Sequence, residues 1–372
     1  MTRSNPYLDE TAHGVYIISA TPFSDNGALD YTSLDHLIDF YLDQGVHGLT
    51  LLGVMGEAPK LSSEEQSQFM HRALRRVNGQ RPVIVGVSNP GVDNLVVLSR
   101  EAMNSGAAGV MVSGIPGLKT DEQVYRYFSQ VIHALGPEIP VCLQDYPPTT
   151  TVYLSVGVIN RLITDFPSIK MFKHEDCPGH RKLSSLRRAP ETEGVRRVSI
   201  LSGNGGLYMP QELHRGADGV MTGFAFPALL ASVYEMFMAD RADDAEDLYD
   251  IYLPLIRHEQ QFGLGLALRK ETLRRQGVLA SAKSRDPGPS LDQDDRVELQ
   301  CLFDRLLHKL KAAGHTIPPG LDRQVIDIPT DSLIIRILTR RLVPSKVVTI
   351  RPFGWHETSR NSRVGLTRPF RR

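Results

Sequence analysis

The sequence predicts an α/β protein of the (β/α)8 barrel class with a C-terminal helical extension. Short apolar runs alternate with amphipathic stretches through residues 13–240, and this pairing recurs eight times. Alternating β and α units predict a parallel sheet, and eight of them are the number that closes a barrel. An open doubly wound sheet is the main alternative. Its dinucleotide-binding form is disfavoured because no G-x-G-x-x-G motif follows the first predicted strand.

Each apolar run predicts a buried strand, and each amphipathic stretch predicts a helix. The predicted strands are residues 15–19, 48–52, 82–87, 108–112, 140–143, 169–172, 198–201 and 219–221. The predicted helices are residues 34–42, 64–77, 93–105, 121–135, 156–165, 182–188, 207–215 and 228–238. Ser62 followed by Glu65 forms the pattern of a capping box, which places a helix start after Leu61.

Three further helices are expected over residues 243–263, 264–276 and 296–313, which make residues 241–313 a helical extension of the barrel. Residues 314–372 form a third segment of different character. From Pro318 onward it carries 11 basic and 4 acidic residues, with scattered prolines and no sustained helical period. We expect this basic tail to be irregular and functionally neutral, with nucleic-acid binding as a disfavoured alternative.

Composition restricts the classes of function. The chain has 372 residues, 41% of them hydrophobic and 23% charged, and equal numbers of basic and acidic residues. Zero net charge argues against nucleic acid or an anionic membrane as partner, and no run approaches the roughly 18 apolar residues that cross a bilayer. Three scattered cysteines without C-x-x-C spacing indicate neither a disulfide framework nor a thiolate zinc site. We therefore expect a cytoplasmic protein that acts on a small molecule.

Lys173 is the leading candidate for chemistry. It lies at the end of the sixth predicted strand, and the period-two rule puts it on one face with Ile169 and Met171. If that face lines the barrel, Lys173 reaches the carboxyl-terminal mouth, where active sites of this fold are built. A partly desolvated ammonium loses its proton more readily, and the neutral amine can attack a ketone. The alternative is an ordinary surface lysine whose stem packs and whose charge stays in water.

Other candidates follow the second, fifth and seventh strands. Gln144 and Tyr146 share a face at the end of strand five, where a phenol could relay protons or could simply pack beside the prolines that follow. The loop Gly53-Val54-Met55-Gly56-Glu57 allows backbone amides to approach a carboxylate, or is an ordinary turn. The glycines after Ser202 offer similar exposure. Adjacent His174, Glu175 and Asp176 have metal-ligand chemistry, but neighbours on an extended chain point to opposite sides, so no metal site is predicted.

Several phrases occur in a fixed order along the predicted βα units. They are Ala20-Thr21-Pro22-Phe23, Gly53-x-x-Gly56-Glu57, the proline at 147, Lys173, Ser202-Gly203 and Arg215-Gly216-Ala217-Asp218-Gly219-Val220. In this order they resemble the dihydrodipicolinate synthase/N-acetylneuraminate lyase family of class I Schiff-base enzymes over roughly residues 14–310. The resemblance implies a TIM barrel with a C-terminal helical extension, pyruvate or another 2-oxo acid as substrate, no metal or organic cofactor, and a homotetramer.

The resemblance also assigns roles to residues. Lys173 matches the imine-forming lysine, and the loop of Gly53, Val54, Met55, Gly56 and Glu57 matches the segment that holds the oxo-acid carboxylate. A separate pair, Gly203 and Met221, falls where family members line the pocket. Tyr146, or a water held by Gln144, is expected to move protons.

Departures from the family pattern bear on the reaction. Val54 and Met55 stand where members usually carry hydroxyl residues, Gln144 aligns with the usual tyrosine, and Thr149 replaces an arginine that binds the second carboxylate. The sequence motif around Gln144 instead resembles that of the family members that dehydrate 2-keto-3-deoxy sugar acids. We therefore expect a lyase that performs aldol chemistry or dehydration. The alternatives are 4-hydroxy-tetrahydrodipicolinate synthase proper and a catalytically silent family member.

Overall fold

The computed structural model describes residues 7–321. Within this range eight parallel strands close into a barrel in chain order, with β8 hydrogen-bonded to β1. The strands are β1 (Gly14–Ile18), β2 (Gly48–Leu51), β3 (Val83–Gly86), β4 (Gly109–Ser113), β5 (Val141–Asp145), β6 (Ile169–His174), β7 (Ser199–Ser202) and β8 (Gly219–Thr222). The predicted (β/α)8 TIM barrel is confirmed, and the open doubly wound alternative is wrong.

Helices cover the outside of the barrel between successive strands. They are α1 (Tyr31–Asp43), α2 (Ser63–Val77), α3 (Val92–Asn104), α4 (Asp121–Leu135), α5 (Pro147–Thr150), α6 (Val156–Asp165), α7 (His180–Glu193), α8 (Met209–His214) and α9 (Pro227–Met238). The short helix α5 has no counterpart among the predicted elements. Helix α7 is longer than predicted because only Leu183, Leu186 and Ala189 of it are buried, so its apolar period is weak.

Local sequence signals explain where several elements begin. The predicted capping box at the start of α2 is present: the Glu65 amide donates to Ser62 Oγ at 3.1 Å, and the Ser62 amide donates to Glu65 Oε2 at 2.9 Å. This box fixes the point at which the β2–α2 loop ends. The loop itself contains two short 3₁₀ turns, Val54–Gly56 and Ala58–Lys60.

The hydrophobic core is divided between the barrel interior and the layer that includes the outer helices. The interior cluster comprises Leu8, Tyr16, Ile18, Ile84, Ala108, Met111, Cys142, Met171, Leu201 and Met221. Met171 lies in it as the period-two rule predicts. Ile169 packs instead with the larger cluster, because the register between β5 and β6 shifts between Val141 and Cys142. Alternation therefore holds for the second half of β6, where Lys173 lies.

The C-terminal extension consists of α10 (Ala242–Glu259), α11 (Gly265–Arg275) and α12 (Gln293–Ala312). Helix α10 packs against α9 of the barrel and against α11 and α12. The predicted boundaries at residues 240 and 313 stay predictions, and most of the predicted basic tail lies outside the described residues. No helix in residues 7–321 is both long and apolar enough to cross a bilayer.

Candidate functional site

Lys173 lies at the carboxyl end of β6, on the strand face that Met171 turns toward the barrel interior. It pairs in register with Gln144 of β5 and Leu201 of β7. The residue is only 2% exposed, so its amine is removed from bulk solvent. Its Nζ lies 2.8 Å from Glu175 Oε2. The structure thus places the predicted nucleophile inside the barrel mouth, against a carboxylate.

Glu175 joins Lys173 to Gln144. The Gln144 side-chain amide donates to Glu175 Oε2 at 2.7 Å, so one carboxylate oxygen accepts from both neighbours. A buried carboxylate with an ammonium and an amide donor is compensated in charge and in hydrogen bonding. The three side chains therefore form one fixed unit, here called the Lys173–Glu175–Gln144 unit.

The loop after β7 makes room for this unit. A Cβ placed on Gly203 would lie 2.2 Å from Glu175 Cγ, so only glycine fits beside the carboxylate. The Gly203 amide donates to the His174 carbonyl at 2.9 Å, and the Asn204 side chain donates to the Glu175 carbonyl at 3.2 Å. Gly203 thus helps to position Glu175 in two ways: the absence of a Cβ leaves space for the carboxylate side chain, and the amide of Gly203 holds the neighbouring backbone. Met221, the other predicted pocket residue on this side, belongs to the barrel-interior cluster.

A cavity of about 640 Å³ opens beside the unit, at the carboxyl ends of β2 to β5. Gln144 and Tyr146 line it, and Gln144 connects it to Lys173 through Glu175. Other polar side chains that line it include Ser88, Asn89, Asn94, Glu101 and Ser113. The volume lies within the range of small-molecule pockets.

Tyr146 directly precedes α5 and lines the cavity. Burial raises the pKa of its phenol, and the nearby Glu175 carboxylate raises it further. The phenol is therefore protonated near neutral pH and can donate a proton to a group in the cavity.

The residues of the β2–α2 loop diverge in their contacts. Gly53 and Val54 line the cavity, and the Val54 side chain is 46% exposed. Met55 packs against the barrel-interior cluster, and the Gly56 carbonyl accepts from Thr21 Oγ1 at 2.6 Å. Glu57 is different, because its buried carboxylate lies 2.5 Å from Lys270 Nζ of α11. The structure therefore brings Gly53 and Val54 to the cavity and ties the Glu57 side chain to the C-terminal extension.

Asp145 and His174 alternate along their strands with the residues of the Lys173–Glu175–Gln144 unit, and they make separate buried contacts. Asp145 Oδ2 lies 2.8 Å from Lys182 Nζ, and burial raises the pKa of Asp145 to about 6. The His174 ring bonds the Gly179 carbonyl through Nε2 at 3.0 Å, and burial lowers its pKa to about 4. His174 therefore does not converge with Glu175 on a ligand. In the described part of the chain no group of three or more His, Cys, Asp or Glu residues could hold a metal ion.

Sequence reasoning missed the part that Glu175 plays. It considered this residue only as part of a metal-binding triplet. The signal was nevertheless available, because Glu175 stands two positions after Lys173 and the period-two rule puts both on the same face. As a constellation the site holds a buried amine, an adjacent carboxylate, an amide and a protonated phenol, which are groups suited to imine formation and proton transfer at a carbonyl compound.

Known proteins are similar to this chain in sequence and fold. Residues 11–305 match the dihydrodipicolinate synthetase family. A curated relative, L-2-keto-3-deoxyarabonate dehydratase of Azospirillum brasilense, is 31% identical over 297 residues, which are 79% of this chain and 94% of that protein. A second, 4-hydroxy-tetrahydrodipicolinate synthase of Desulfotalea psychrophila, is 30% identical over 299 residues, covering 78% of this chain and 95% of the relative.

A solved structure extends the likeness. The dihydrodipicolinate synthase of Rhodopseudomonas palustris superimposes with a TM-score of 0.79 at 44% sequence identity, covering 81% of this chain and 99% of that one. The match of barrel, C-terminal helices and sequence over most of the chain agrees with the resemblance that the motifs carried. The chain therefore belongs to the dihydrodipicolinate synthetase family of lyases.

Proposed function

We propose that this protein is a class I Schiff-base lyase that removes water from a 2-keto-3-deoxy sugar acid. The observation that carries the proposal is the Lys173–Glu175–Gln144 unit, in which a buried amine touches a buried carboxylate beside a cavity of substrate size. The relative from Azospirillum brasilense is a dehydratase of such an acid by name, which supports the same choice. No metal or organic cofactor is required by this chemistry.

Covalent capture of the substrate comes first. Glu175 accepts the proton of the Lys173 ammonium across the 2.8 Å contact, which frees the lone pair of the amine. The amine then adds to the C2 carbonyl, whose oxygen takes one proton from the amine and one from Glu175 and leaves as water, so that an iminium links Lys173 to the substrate and Glu175 is again a carboxylate. A fixed neighbour at hydrogen-bond distance is what such a proton transfer needs.

Elimination follows from the iminium. Loss of a proton from C3, to Glu175 or to a water held by Gln144, gives an enamine. The enamine electron pair then expels the C4 hydroxyl, which takes a proton from Tyr146 and leaves as water. Hydrolysis of the remaining iminium releases a 2-oxo acid poorer by one water and returns the Lys173 amine. Tyr146 suits the role of the acid in this sequence because its phenol lines the cavity and is protonated near neutral pH.

The substrate carboxylate is seated by the Gly53 to Gly56 loop. Gly53 and Val54 of this loop line the cavity, and the loop matches the segment to which the family resemblance assigns the oxo-acid carboxylate. Glu57 has no direct role here, because its carboxylate already faces Lys270 and would repel the substrate. Gly203 leaves space for the Glu175 carboxylate, and Met221 packs among the apolar residues of the barrel interior.

Synthase activity is the second candidate. The solved protein from Rhodopseudomonas palustris, 44% identical, is titled a dihydrodipicolinate synthase. That reaction would use the same enamine, derived from pyruvate, to attack an aldehyde carbon. Val54, Met55 and Thr149 are apolar or uncharged where the resemblance implies hydroxyl groups and an arginine, which favours dehydration. A catalytically silent member is the remaining alternative.

Reductive trapping tests the proposal. Protein is incubated with pyruvate or with a 2-keto-3-deoxypentonate, treated with borohydride and digested for mass mapping. We expect an adduct on Lys173, none in Lys173→Ala, and an unchanged adduct in Lys170→Ala, which removes the neighbouring lysine that pairs with Glu10. The absence of an adduct with any 2-oxo acid would overturn the proposed enzymatic function and favour the catalytically silent family member.

Turnover then separates the reactions. Loss of the keto-deoxy acid without added aldehyde supports dehydration, whereas turnover only of pyruvate with aspartate semialdehyde would establish the synthase instead. The homotetramer and the cytoplasmic location that we predict remain proposals, tested by light scattering and by fractionation of cells.

A further inference from the structure

The loop of residues 53–57, here called the substrate loop, is joined to the C-terminal extension by Glu57 through a buried network. Its Oε1 lies 2.5 Å from Lys270 Nζ, and its Oε2 accepts from Lys60 Nζ at 2.9 Å and from the Arg285 amide at 3.0 Å. The Lys270 side chain is 0% exposed. Both carboxylate oxygens are thus bonded to groups of which two come from the extension, more than 200 residues away in sequence.

Lys270 holds several segments at once. Besides Glu57, its amine donates to the Lys283 carbonyl at 2.9 Å and lies 4.6 Å from the centre of the Phe23 ring. Phe23 belongs to the β1–α1 connection, and Lys283 to the segment between α11 and α12. One ammonium therefore positions three stretches of chain around the base of the substrate loop.

Arg285 strengthens the same connection. Its guanidinium binds both oxygens of Glu65, at 2.7 and 2.8 Å, and donates to the Lys60 carbonyl at 3.0 Å. Glu65 is the residue that completes the capping box of α2. The extension therefore grips the substrate loop on both sides: at Glu57, where the first turn ends, and at Glu65, where α2 begins.

The backbone at Glu57 depends on these contacts. Its φ of 54° and ψ of 28° lie in the left-handed region, which a residue with a Cβ adopts only when its surroundings compel it. Glu57 directly follows Gly56 and separates the two 3₁₀ turns. A change at its side chain is consequently passed to the turn that carries Gly53 and Val54.

We propose that Lys270 and Glu57 are positioning residues, and that the C-terminal extension is a working part of the active site because it sets the substrate loop. The proposal rests on the function proposed above, in which this loop seats the carboxylate of a 2-oxo acid. Stability alone does not explain the pair, since apolar residues of similar volume commonly replace buried ion pairs without loss. An apolar pair, however, could not bond Lys60 and the Arg285 amide.

The chain offers a matched control on the same helix. Arg275, one turn beyond Glu271 on α11, forms a buried ion pair with it at 2.9 Å and bonds Gln300 of α12 at 3.0 Å. Neither partner contacts the substrate loop or lines the cavity beside Lys173. Arg275→Met removes a buried charge from α11 as Lys270→Met does, so it measures the general cost of such a change.

The closing experiment compares Lys270→Met, Arg275→Met and the double variant Glu57→Met/Lys270→Met. Three quantities are measured: the thermal midpoint, the pyruvate concentration that half-saturates borohydride trapping at Lys173, and the hydrogen exchange of peptides covering residues 53–61. We expect Lys270→Met to raise the half-saturating concentration about 10- to 100-fold, because displacement of a binding group by about an ångström has effects of this size. Its loop peptides should exchange faster, whereas Arg275→Met should change only the midpoint.

The double variant separates positioning from stability. We expect its midpoint to recover toward that of the wild type while its half-saturating concentration stays high. Recovery of both, or a Lys270→Met protein that traps pyruvate as the wild type does, would overturn the proposal. If the wild type traps no 2-oxo acid, the proposed function fails, and exchange alone decides: faster loop exchange in Lys270→Met but not in Arg275→Met retains the positioning role, and equal exchange overturns it.

Discussion

At the scale of single residues, the candidate site depends on which side chains of β5 and β6 face inward. Gln144, Lys173 and Glu175 share hydrogen bonds in the barrel mouth, whereas Asp145 and His174 form their contacts elsewhere. This alternation places the Glu175 carboxylate against Lys173 and leaves Asp145 paired with Lys182. The chemistry of one residue thus follows from the two-residue period of its strand.

Glu175→Gln tests the carboxylate directly. Glutamine has nearly the same shape but cannot take the proton of Lys173, so we expect turnover to fall about 100-fold or more. The fold should remain, because the glutamine carbonyl can still accept from Gln144 and Lys173, but the free energy of unfolding should fall since the buried ammonium loses its counter-charge. The rate is measured under saturating substrate, with circular dichroism as the check on folding. Turnover equal to the wild type would show that Glu175 takes no part in proton transfer.

His174 makes stability depend on pH. Its pKa is about 4 in the fold and near 6.5 when exposed, because burial disfavours the imidazolium. Between these values the unfolded chain binds a proton that the folded chain excludes. The stabilisation is therefore present above pH 6.5 and is lost as the pH falls toward 4.

His174→Gln should weaken this dependence while retaining a donor for the Gly179 carbonyl. Linkage predicts that between pH 7.5 and 5 the wild type loses about 2 kcal/mol more unfolding free energy than the variant. Urea titrations of both proteins at the two pH values give this difference. Equal losses in the two proteins would mean that His174 binds its proton equally well in the folded and the unfolded chain.

Among residues the sequence predicted some positions better than others. The positions of Lys173 and Gln144 in the barrel mouth could be predicted because strand alternation and strand ends are local properties. Tyr146 and Gly53 reach the cavity for the same reason. Glu57 was expected to contact substrate, and its pairing with Lys270 could not be predicted, because no local pattern relates positions so distant along the chain. The substrate-binding role of the loop itself remains a proposal.

At the scale of elements, loops after the strands carry the variable parts of the site. The β7–α8 loop approaches the end of β6 so closely that a side chain at position 203 would occupy the space of Glu175, and glycine leaves that space free. The β2–α2 loop is held between a capping box and the extension. Such loops lie on rigid supports, which is how this fold combines a constant barrel with different reactions.

Gly203→Ala should disable the site without unfolding the barrel. The new methyl group would meet Glu175 Cγ at 2.2 Å, and the carboxylate would have to move away from Lys173. We expect turnover and reductive trapping both to fall more than tenfold. Gly157→Ala on α6 is the control, since the nearest atom to its Cβ is Ser155 Oγ at 3.7 Å. Normal trapping by Gly203→Ala would show that Glu175 can shift without consequence.

Element boundaries were predictable where chemistry marks them. Ser62 and Glu65 marked the start of α2, and the structure contains the capping box. Helix α7 was predicted too short, because its few apolar residues carry little periodic signal. Helix α5 could not be predicted from periodicity at all, since its four residues span about one helical period and cannot show a repeat.

At the scale of the whole molecule, the two ends of the barrel have different tasks. The carboxyl end holds the Lys173–Glu175–Gln144 unit and the cavity. At the amino end the segment before β1 packs against the barrel floor: Leu8 joins the interior cluster, and Glu10 pairs with Lys170 at 2.8 Å and Arg196 at 3.3 Å. The eightfold repeat of βα units predicted the barrel, whereas these contacts depend on closure and could not be read from any one segment.

Leu8→Ala tests this separation of tasks. Leu8 is 4% exposed, and its side chain lies next to Gly109. Its truncation leaves a cavity under the barrel and should lower the free energy of unfolding by about 2–4 kcal/mol. Because Leu8 lies at the end opposite Lys173, turnover per folded molecule at 25 °C should be unchanged. Tyr7→Ala is the neighbouring control, since Tyr7 is 65% exposed and its loss should leave stability nearly intact. Urea unfolding and saturating kinetics on the three proteins give both quantities.

A Leu8→Ala protein with normal stability would show that the floor closes without this residue. One with lowered turnover despite complete folding would instead show that packing at the amino end sets the geometry around Lys173.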